Sequence, residues 1–219
     1  MPCFEMPSRA DMELARIQAM GLGAVQASTT FGLGPVKRLH RSDFVDFLGT
    51  AWAEWAATGR THDALPLAWP VRGMGTDQIP LDIDGRLGCY SMDAGVPITA
   101  GTWTEVQDSA DVALTGAQLL AIGVEKAIFC PVSTARPPCS ARLLGCFCYL
   151  NNAAIAAQYL LDNGCKKVAV LDVNSHHGNG TQSIFYNRSD ALFASECGYA
   201  VDDIGINTVN VLTGFESVA

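Results

Sequence analysis

Helical and strand-like spacings of apolar residues alternate along this chain. Ser8-Arg9-Ala10-Asp11 reads as a capping box opening a helix to about Met20, with Leu14 and Ile17 on its apolar face. Ser42 is placed to cap a second helix, in which Phe44, Phe47, Leu48, Ala51, Trp52 and Trp55 recur at three- and four-residue steps as far as Gly59. Residues 60–101 are rich in Gly and Pro, lack long periodic runs, and read as an extended loop region. A further helix follows Thr102, with Val106, Ala110, Ala113, Leu114 and Ala117 facing inward, and ends near Gly123. Lys126–Val132 reads as a short strand, and Asn152–Asn163 as a helix stopped by Gly164. Lys167–Val173 and Asp190–Ser195 read as strands, and Val201–Leu212 as a last helix carrying Ile204, Val209 and Leu212. Strands alternating with helices predict an α/β domain, its parallel sheet covered by helices on both faces. No repeat, low-complexity tract or linker divides residues 1–219, which read as a single domain.

Composition narrows the picture. With 219 residues, 49% hydrophobic and 16% charged, the chain has an ordinary soluble composition and enough length for one sizeable core. A net charge of −8 disfavours nonspecific nucleic-acid binding and mildly favours cationic partners such as polyamines or lysine-rich tails. There is no apolar run long enough to span a bilayer, and no basic start followed by an apolar core. The expectation is therefore no membrane span, no secretion and a cytoplasmic location, with the nucleus left open. The eight cysteines show no C-x-x-C spacing and read as reduced core thiols rather than a disulfide framework.

Candidate chemistry is concentrated in Val168–Gln182, VAVLDVNSHHGNGTQ. The apolar run delivers Asp172, Asn174, His176 and His177 to a strand's carboxyl end, where α/β proteins build their sites. Residues 172, 174 and 176 alternate along an extended backbone, so their side chains share one face. Gly178 and Gly180 then open a turn. A carboxylate, an amide and an imidazole converging there suggest a metal or catalytic site. The amide at Asn174 is a neutral and much poorer zinc ligand than a carboxylate.

This stretch resembles the D-x-D-x-H-H-G-[ND]-G signature of the zinc-dependent histone deacetylase and acetylpolyamine amidohydrolase superfamily. Gly145–Asn152 (GCFCYLNN) is similar to that family's GGFCYLNN segment, and Pro97–Trp103 (PITAGTW) to its PIS-x-GTW segment. Leu39-His40 through Phe47-Leu48 is similar to its early VH-x-x-x-Y-x-x-FL. Trp69-Pro70-Val71-Arg72 and Cys3–Pro7 fit the acetylpolyamine amidohydrolase-like members best. The resemblance implies a three-layer α/β/α, arginase/deacetylase-like fold with a mainly parallel sheet. It also implies hydrolysis of an acetamide on an acetylated polyamine or acetyl-lysine. That reaction needs a Lewis acid, a base for the attacking water and a donor for the oxyanion. In the family these are a zinc held by Asp, His and Asp, tandem histidines in an RPPGHHA loop, and a Tyr in a GGY loop.

Carried over by position, His176 matches the histidine ligand, and Asn174 stands where a ligand carboxylate is expected. The second ligand Asp has no counterpart. Arg136-Pro137-Pro138 is followed by Cys139-Ser140-Ala141-Arg142 in place of the tandem histidines, and no histidine lies between His62 and His176. Tyr199 matches the carbonyl-polarising Tyr. Asp172 matches a carboxylate that supports a tandem His and a structural potassium ion, and Ser195 matches another potassium position. Phe147 matches a wall of the acyl-lysine channel, and Cys146 replaces a Gly of the channel floor. Cys139 or Ser140 as a nucleophile, and Cys146, Cys148 and Cys197 as a thiolate metal site, are the weaker readings, since no partner base accompanies them and buried cysteines are usually inert.

Phe193-Ala194-Ser195 runs directly into Glu196-Cys197-Gly198-Tyr199, whereas the family separates these segments by several strands and helices. The chain thus reads as a truncated, incomplete deacetylase-like domain with an internal deletion at 195/196. Three outcomes are open: a deacetylase-class protein that is impaired or inactive, a non-catalytic binder or decoy pairing with a relative, or a splice or gene-model fragment. Whether it is an enzyme stays open. Lys167–Val173 has the continuous apolar character of a strand covered on both faces. Losing later strands predicts a bare flank or open edge, and with it a homo- or hetero-oligomer or poor solubility. Tyr199 would stand near His176 only if the strand at 190–194 took the place of a later one; a dismantled site is the favoured expectation.

Overall fold

The computed structural model describes residues 8–71, 78–132, 140–145, 148–173, 177–196 and 209–211. Helix α1 (Ser8–Met20) forms as its spacing suggests, but Met12, Leu14 and Met20 are exposed, and of its apolar residues only Ile17 is half-buried. Helix α2 (Gly34–Leu39) was not anticipated: it is a six-residue turn started by Pro35, too short to show a period. Helix α3 (Ser42–Ala57) buries Phe44, Phe47, Leu48, Ala51 and Trp55, the stripe read from the sequence, with Trp52 at the edge of the core. Ser42 is not its cap. Arg41 occupies that position with no side-chain capping bond, and its guanidinium pairs with Asp43 instead.

The stretch 60–101 is not all loop. Helix α4 (Ile83–Tyr90) is capped by Asp82, whose carboxylate accepts from the Asp84 N–H at 2.8 Å. Gly85 and Gly88 lower its intrinsic propensity and conceal it in the sequence, yet both permit close approach. A Cβ at Gly88 would overlap the Ala68 carbonyl oxygen, and one at Gly85 would lie 2.6 Å from Pro80 Cβ. Tyr90 stacks on Phe47 at 4.6 Å, while Arg86 pairs with Glu54 and Arg60 with Asp84, fastening α4 across α3.

Helix α5 (Thr102–Ala121) turns Val106, Ala110, Ala113, Leu114 and Ala117 inward, and Gly123 at φ 72° closes its end. Helix α6 (Asn152–Asp162) lies against it and is stopped by Gly164 at φ 103°. The expected strand at 126–132 is absent: this segment runs without regular structure. Its backbone has no neighbouring strand among the described residues with which to form a ladder. It is held against α5 by side chains, Cys130 lying so near Gly116 that a Cβ there would overlap its Sγ.

The sheet has strands β1 (Val168–Asp172), β2 (Ala191–Glu196) and β3 (Val209–Val211) in that order. β1 and β2 are parallel, in a register that sets Val170 beside Phe193 and Asp172 beside Ser195. Helix α7 (Asn179–Phe185) connects them. β3 is antiparallel to β2 and corrects the last helix over residues 209–211. Two β-branched valines alternate there, a pattern that suits a pleated strand; residues 201–208 and 212 lie outside the described residues. Ala154, Ala157 and Phe185 from α6 and α7 cover the β1 face carrying Val168 and Val170. The opposite face is open, with Leu171 71% and Val173 75% exposed. The double coverage read from the apolar run is therefore not met by the described residues, among which one face of β1 is open.

Gly88→Ala should cost about 3 kcal/mol, because overlap with a backbone oxygen forces α4 away from the 68–69 chain. Urea denaturation would measure it as a lower midpoint at unchanged slope.

Candidate functional site

The parallel ladder brings Asp172 and Ser195 to adjacent positions at the carboxyl ends of β1 and β2. The chain re-enters beside them at Gly178, whose N–H points to Ser195 Oγ at 3.4 Å. A Cβ on Gly178 would overlap Asp172 Oδ2 and lie 2.7 Å from Phe193 Cζ, so glycine is required for the turn to pack on the strand ends. His177 precedes it. Its Nε2 lies 2.8 Å from Gln182 Oε1, and its ring tilts against Phe193 at 6.1 Å. Because a glutamine Oε1 only accepts, this contact places the imidazole proton on Nε2, leaving Nδ1 buried with no hydrogen-bond partner among the described residues.

A buried polar cluster stands behind this corner. Asn151 donates its backbone N–H to His40 Nε2 at 3.1 Å and its amide Nδ2–H to Thr181 Oγ1 at 2.8 Å. Its Oδ1 accepts from the Ala154 N–H at 3.0 Å, capping α6. The cluster thus joins α2, α6 and α7. His40 is 1% exposed, and burial pushes its pKa down to about 4, opposed in part by the carbonyls of Ala141 and Ser140 beside the ring. An Nε2 that accepts a bond puts the proton of the neutral ring on Nδ1. Arg41 N–H also donates to the Ala141 carbonyl at 2.9 Å, so the residues after the Arg-Pro-Pro loop are tied to this histidine. His40 and Asn151 both lie in motif-like segments, but nothing in those segments marks them as a buried pair. Nothing in the local spacing around His40 indicated complete burial.

Of the residues expected in the site, Asp172 and Ser195 are brought together. Asn174, His176, Tyr199, Phe147 and Cys146 lie outside the described residues, as do Cys139, Cys197 and hence the separation of Tyr199 from His176. Ser140 Oγ accepts from the Arg142 N–H at 3.3 Å in a local turn. Cys148 is fully buried, and its thiol donates to the Leu150 carbonyl at 2.8 Å. His62 stacks on Trp55 at 5.2 Å, at the far end of α3. Among the described residues, no group of three or more His, Cys, Asp or Glu side chains is arranged to hold a metal.

Residues 4–201 match the histone deacetylase domain family. The chain is 56% identical over 197 residues to acetylpolyamine amidohydrolase 2 of Pseudomonas aeruginosa, a match spanning 89% of this chain and 56% of that protein. It is 44% identical over 198 residues to the acetylpolyamine amidohydrolase of Mycoplana ramosa, spanning 89% of this chain and 57% of that one. Among solved structures, acetylpolyamine aminohydrolase from Burkholderia pseudomallei superposes with a TM-score of 0.78 at 34% identity, over 89% of this chain and 55% of its own. The HD domain of HDA15, at 22% identity and a TM-score of 0.65, shares the fold. This protein belongs to the histone deacetylase family and has its arginase/deacetylase-type α/β fold. The chain spans about half the length of the curated relatives it matches.

His40 makes stability sensitive to acid. The folded chain keeps the ring neutral down to about pH 4, whereas the unfolded chain takes up a proton below about pH 6.5. In that window the unfolded state binds more protons, so stability falls with falling pH, by about 3 kcal/mol across the interval. Urea midpoints between pH 7 and pH 4 should show this loss, and His40→Gln should show a shallower dependence at some cost at pH 7.

Proposed function

We propose that this chain is a deacetylase-class protein of the acetylpolyamine amidohydrolase kind in which amide hydrolysis is lost or severely reduced. One observation carries the reading: none of its four histidines stands at the tandem-histidine position after Arg136-Pro137-Pro138. His176 and His177 belong to the strand motif, His40 is sealed in the core with Nε2 engaged, and His62 stacks on Trp55. A positioned base is worth roughly 10²–10⁴ in rate for this kind of chemistry. The family resemblance implies zinc, which when bound would polarise the amide carbonyl and activate water. The donor set fits it poorly. His176 supplies one good ligand, Asn174 a neutral oxygen, and the described part of the site adds only the Asp172 carboxylate and the Ser195 hydroxyl. Those two oxygen donors suit a hard monovalent cation such as potassium better than zinc.

The substrate class inherited with this site is an acetylated polyamine, the class named for the relatives. The net charge of −8 is consistent with a cationic ligand. Acetyl-lysine is the other member of the same chemistry. The open face of β1 favours a second reading alongside the first, a non-catalytic binder that retains the family framework. The 195/196 junction falls inside β2, whose pairing with β1 reaches Ser195 and whose pairing with β3 runs across the junction from Ala194 to Glu196. A splice or gene-model origin would show as genomic DNA encoding the further block between codons 195 and 196.

Elemental analysis of the purified protein, run beside an acetylpolyamine deacetylation assay with added zinc, tests the proposal. The expected result is zinc well below one per chain and a rate at least about a thousandfold below an intact relative. Asn174→Asp alone should not restore turnover, since the base would still be missing. One tightly held zinc per chain, or measurable hydrolysis by the single variant, would overturn the assignment.

A further inference from the structure

Between α1 and α3 the chain crosses the helical layer as a thin strap. Residues 21–30 are all exposed and pair with no strand among the described residues. The Thr29 N–H donates to Thr115 Oγ1 at 2.9 Å and the Phe31 N–H to Asp111 Oδ1 at 3.1 Å, both acceptors on α5. Phe31 meets the ring of Tyr159 on α6 edge-on at 5.7 Å. Farther along, Arg38 pairs with Asp162 at the end of α6, through largely exposed groups whose pairing contributes little. Only Val36 and His40 are buried between residues 21 and 40. Val36 contributes apolar packing, whereas His40 also bonds the facing helix, its Nε2 accepting the Asn151 N–H at 3.1 Å. A segment tied mainly by exposed bonds opens more readily than the core beneath it. His40 is therefore its main latch.

We propose that residues 22–40 form an acid-released strap, latched by His40, which peels from α5 and α6 before the remainder of the domain unfolds. A proton on the ring removes the acceptor, strands the Asn151 N–H in the core, and sets a positive charge against the positive end of α6. Around the ring stand Phe44 of α3 at 5.9 Å, the Asn151 N–H and the carbonyls of Ser140 and Ala141, none of which titrates. The charged groups next along the chain, Arg41 and Asp43, pair with each other, and Tyr90 of α4 donates to Asp43. In the closed strap His40 stays neutral down to about pH 4, while in the released strap it takes up a proton below about pH 6.5. The released state binds more protons in that window, so release grows as pH falls from 6.5 to 4. Between pH 7 and pH 5 the released fraction rises about twentyfold. The Asp162 carboxyl, held below the usual range by its bond to Arg38, keeps that pair intact through the same window. Release also frees Asn151, and through Thr181 it loosens the turn where Asp172 and Ser195 meet. The device needs neither metal nor hydrolysis and stands whether or not the chain is catalytic.

Amide exchange by NMR on the full chain, corrected for the intrinsic pH dependence of exchange, tests it. The Phe31, Lys37, His40 and Asn151 amides should lose protection about twentyfold between pH 7 and pH 5. At both pH values they should stay at least about tenfold less protected than the Leu114 and Ala117 amides of α5. His40→Gln, neutral throughout, should remove the acid factor, and Arg38→Gln should leave it in place. A single common rate for strap and α5 amides would overturn the proposal, since it would mean global unfolding. So would strap protection that does not change with pH, or an acid factor that survives His40→Gln. If His40→Gln fails to fold, Val36→Ala decides. Weakening the other buried anchor should speed the strap amides at pH 7 and leave those of α5 unchanged, and equal acceleration of both would overturn the strap.

Discussion

Asn151 uses its backbone N–H and both ends of its side chain within a fully buried space, and the corner of the fold that holds the site depends on it. Each bond replaces one that water would have made, so its net gain is modest. Leaving any of these groups unpaired in the core would cost about 1–3 kcal/mol. That asymmetry fixes the start of α6 against His40 on one side and Thr181 of α7 on the other. α7 then sets the turn at Gly178 on the ends of β1 and β2, where Asp172 and Ser195 meet. The neutral state of His40 belongs to the same constraint, because only the unprotonated Nε2 can accept the Asn151 N–H.

The framework around this corner is well made, while among the described residues one flank of the sheet is bare. α3, α4 and α5 enclose a continuous core around Phe44, Phe47, Tyr90 and Leu114, with aromatic stacking and the Arg86–Glu54 pair between α3 and α4, and Arg60, just beyond α3, paired with Asp84. β1 instead has helices on one face and apolar side chains open on the other. Apolar strands of parallel sheets normally lie between two covering layers.

Family membership and catalytic competence rest on different residues. Membership follows from features spread over the whole match, including the Gly-rich turn after β1 and the capped start of α6. On the proposed reading, chemistry depends on a few positions, Asn174 and Cys139-Ser140 after Arg136-Pro137-Pro138, where the chain differs from the motifs it resembles. A fold tolerates such changes because strand pairing and helix packing do not require them, whereas a metal and base pair needs every member.

The sequence alone specified the elements whose pattern is local and long. α1, α3, α5, α6, β1 and β2 were legible because apolar periodicity over many residues, or an unbroken apolar run ended by Gly, is a property of the segment itself. The pairing of Asp172 with Ser195 at the strand ends was also implicit in the motif resemblance. α2 and α4 were not legible: the first is one turn and a half, and the second carries two glycines that only a neighbouring chain explains, at Pro80 and Ala68. Residues 126–132 have strand composition and no strand, because a strand is a relation between two backbones and no partner lies alongside among the described residues. Residues 209–211 joined the sheet instead of a helix since β2 offered an open edge. His40 reads as any motif histidine until α2, α6 and the 140–141 backbone close over it; its burial, and the acid sensitivity that follows, exist only in three dimensions.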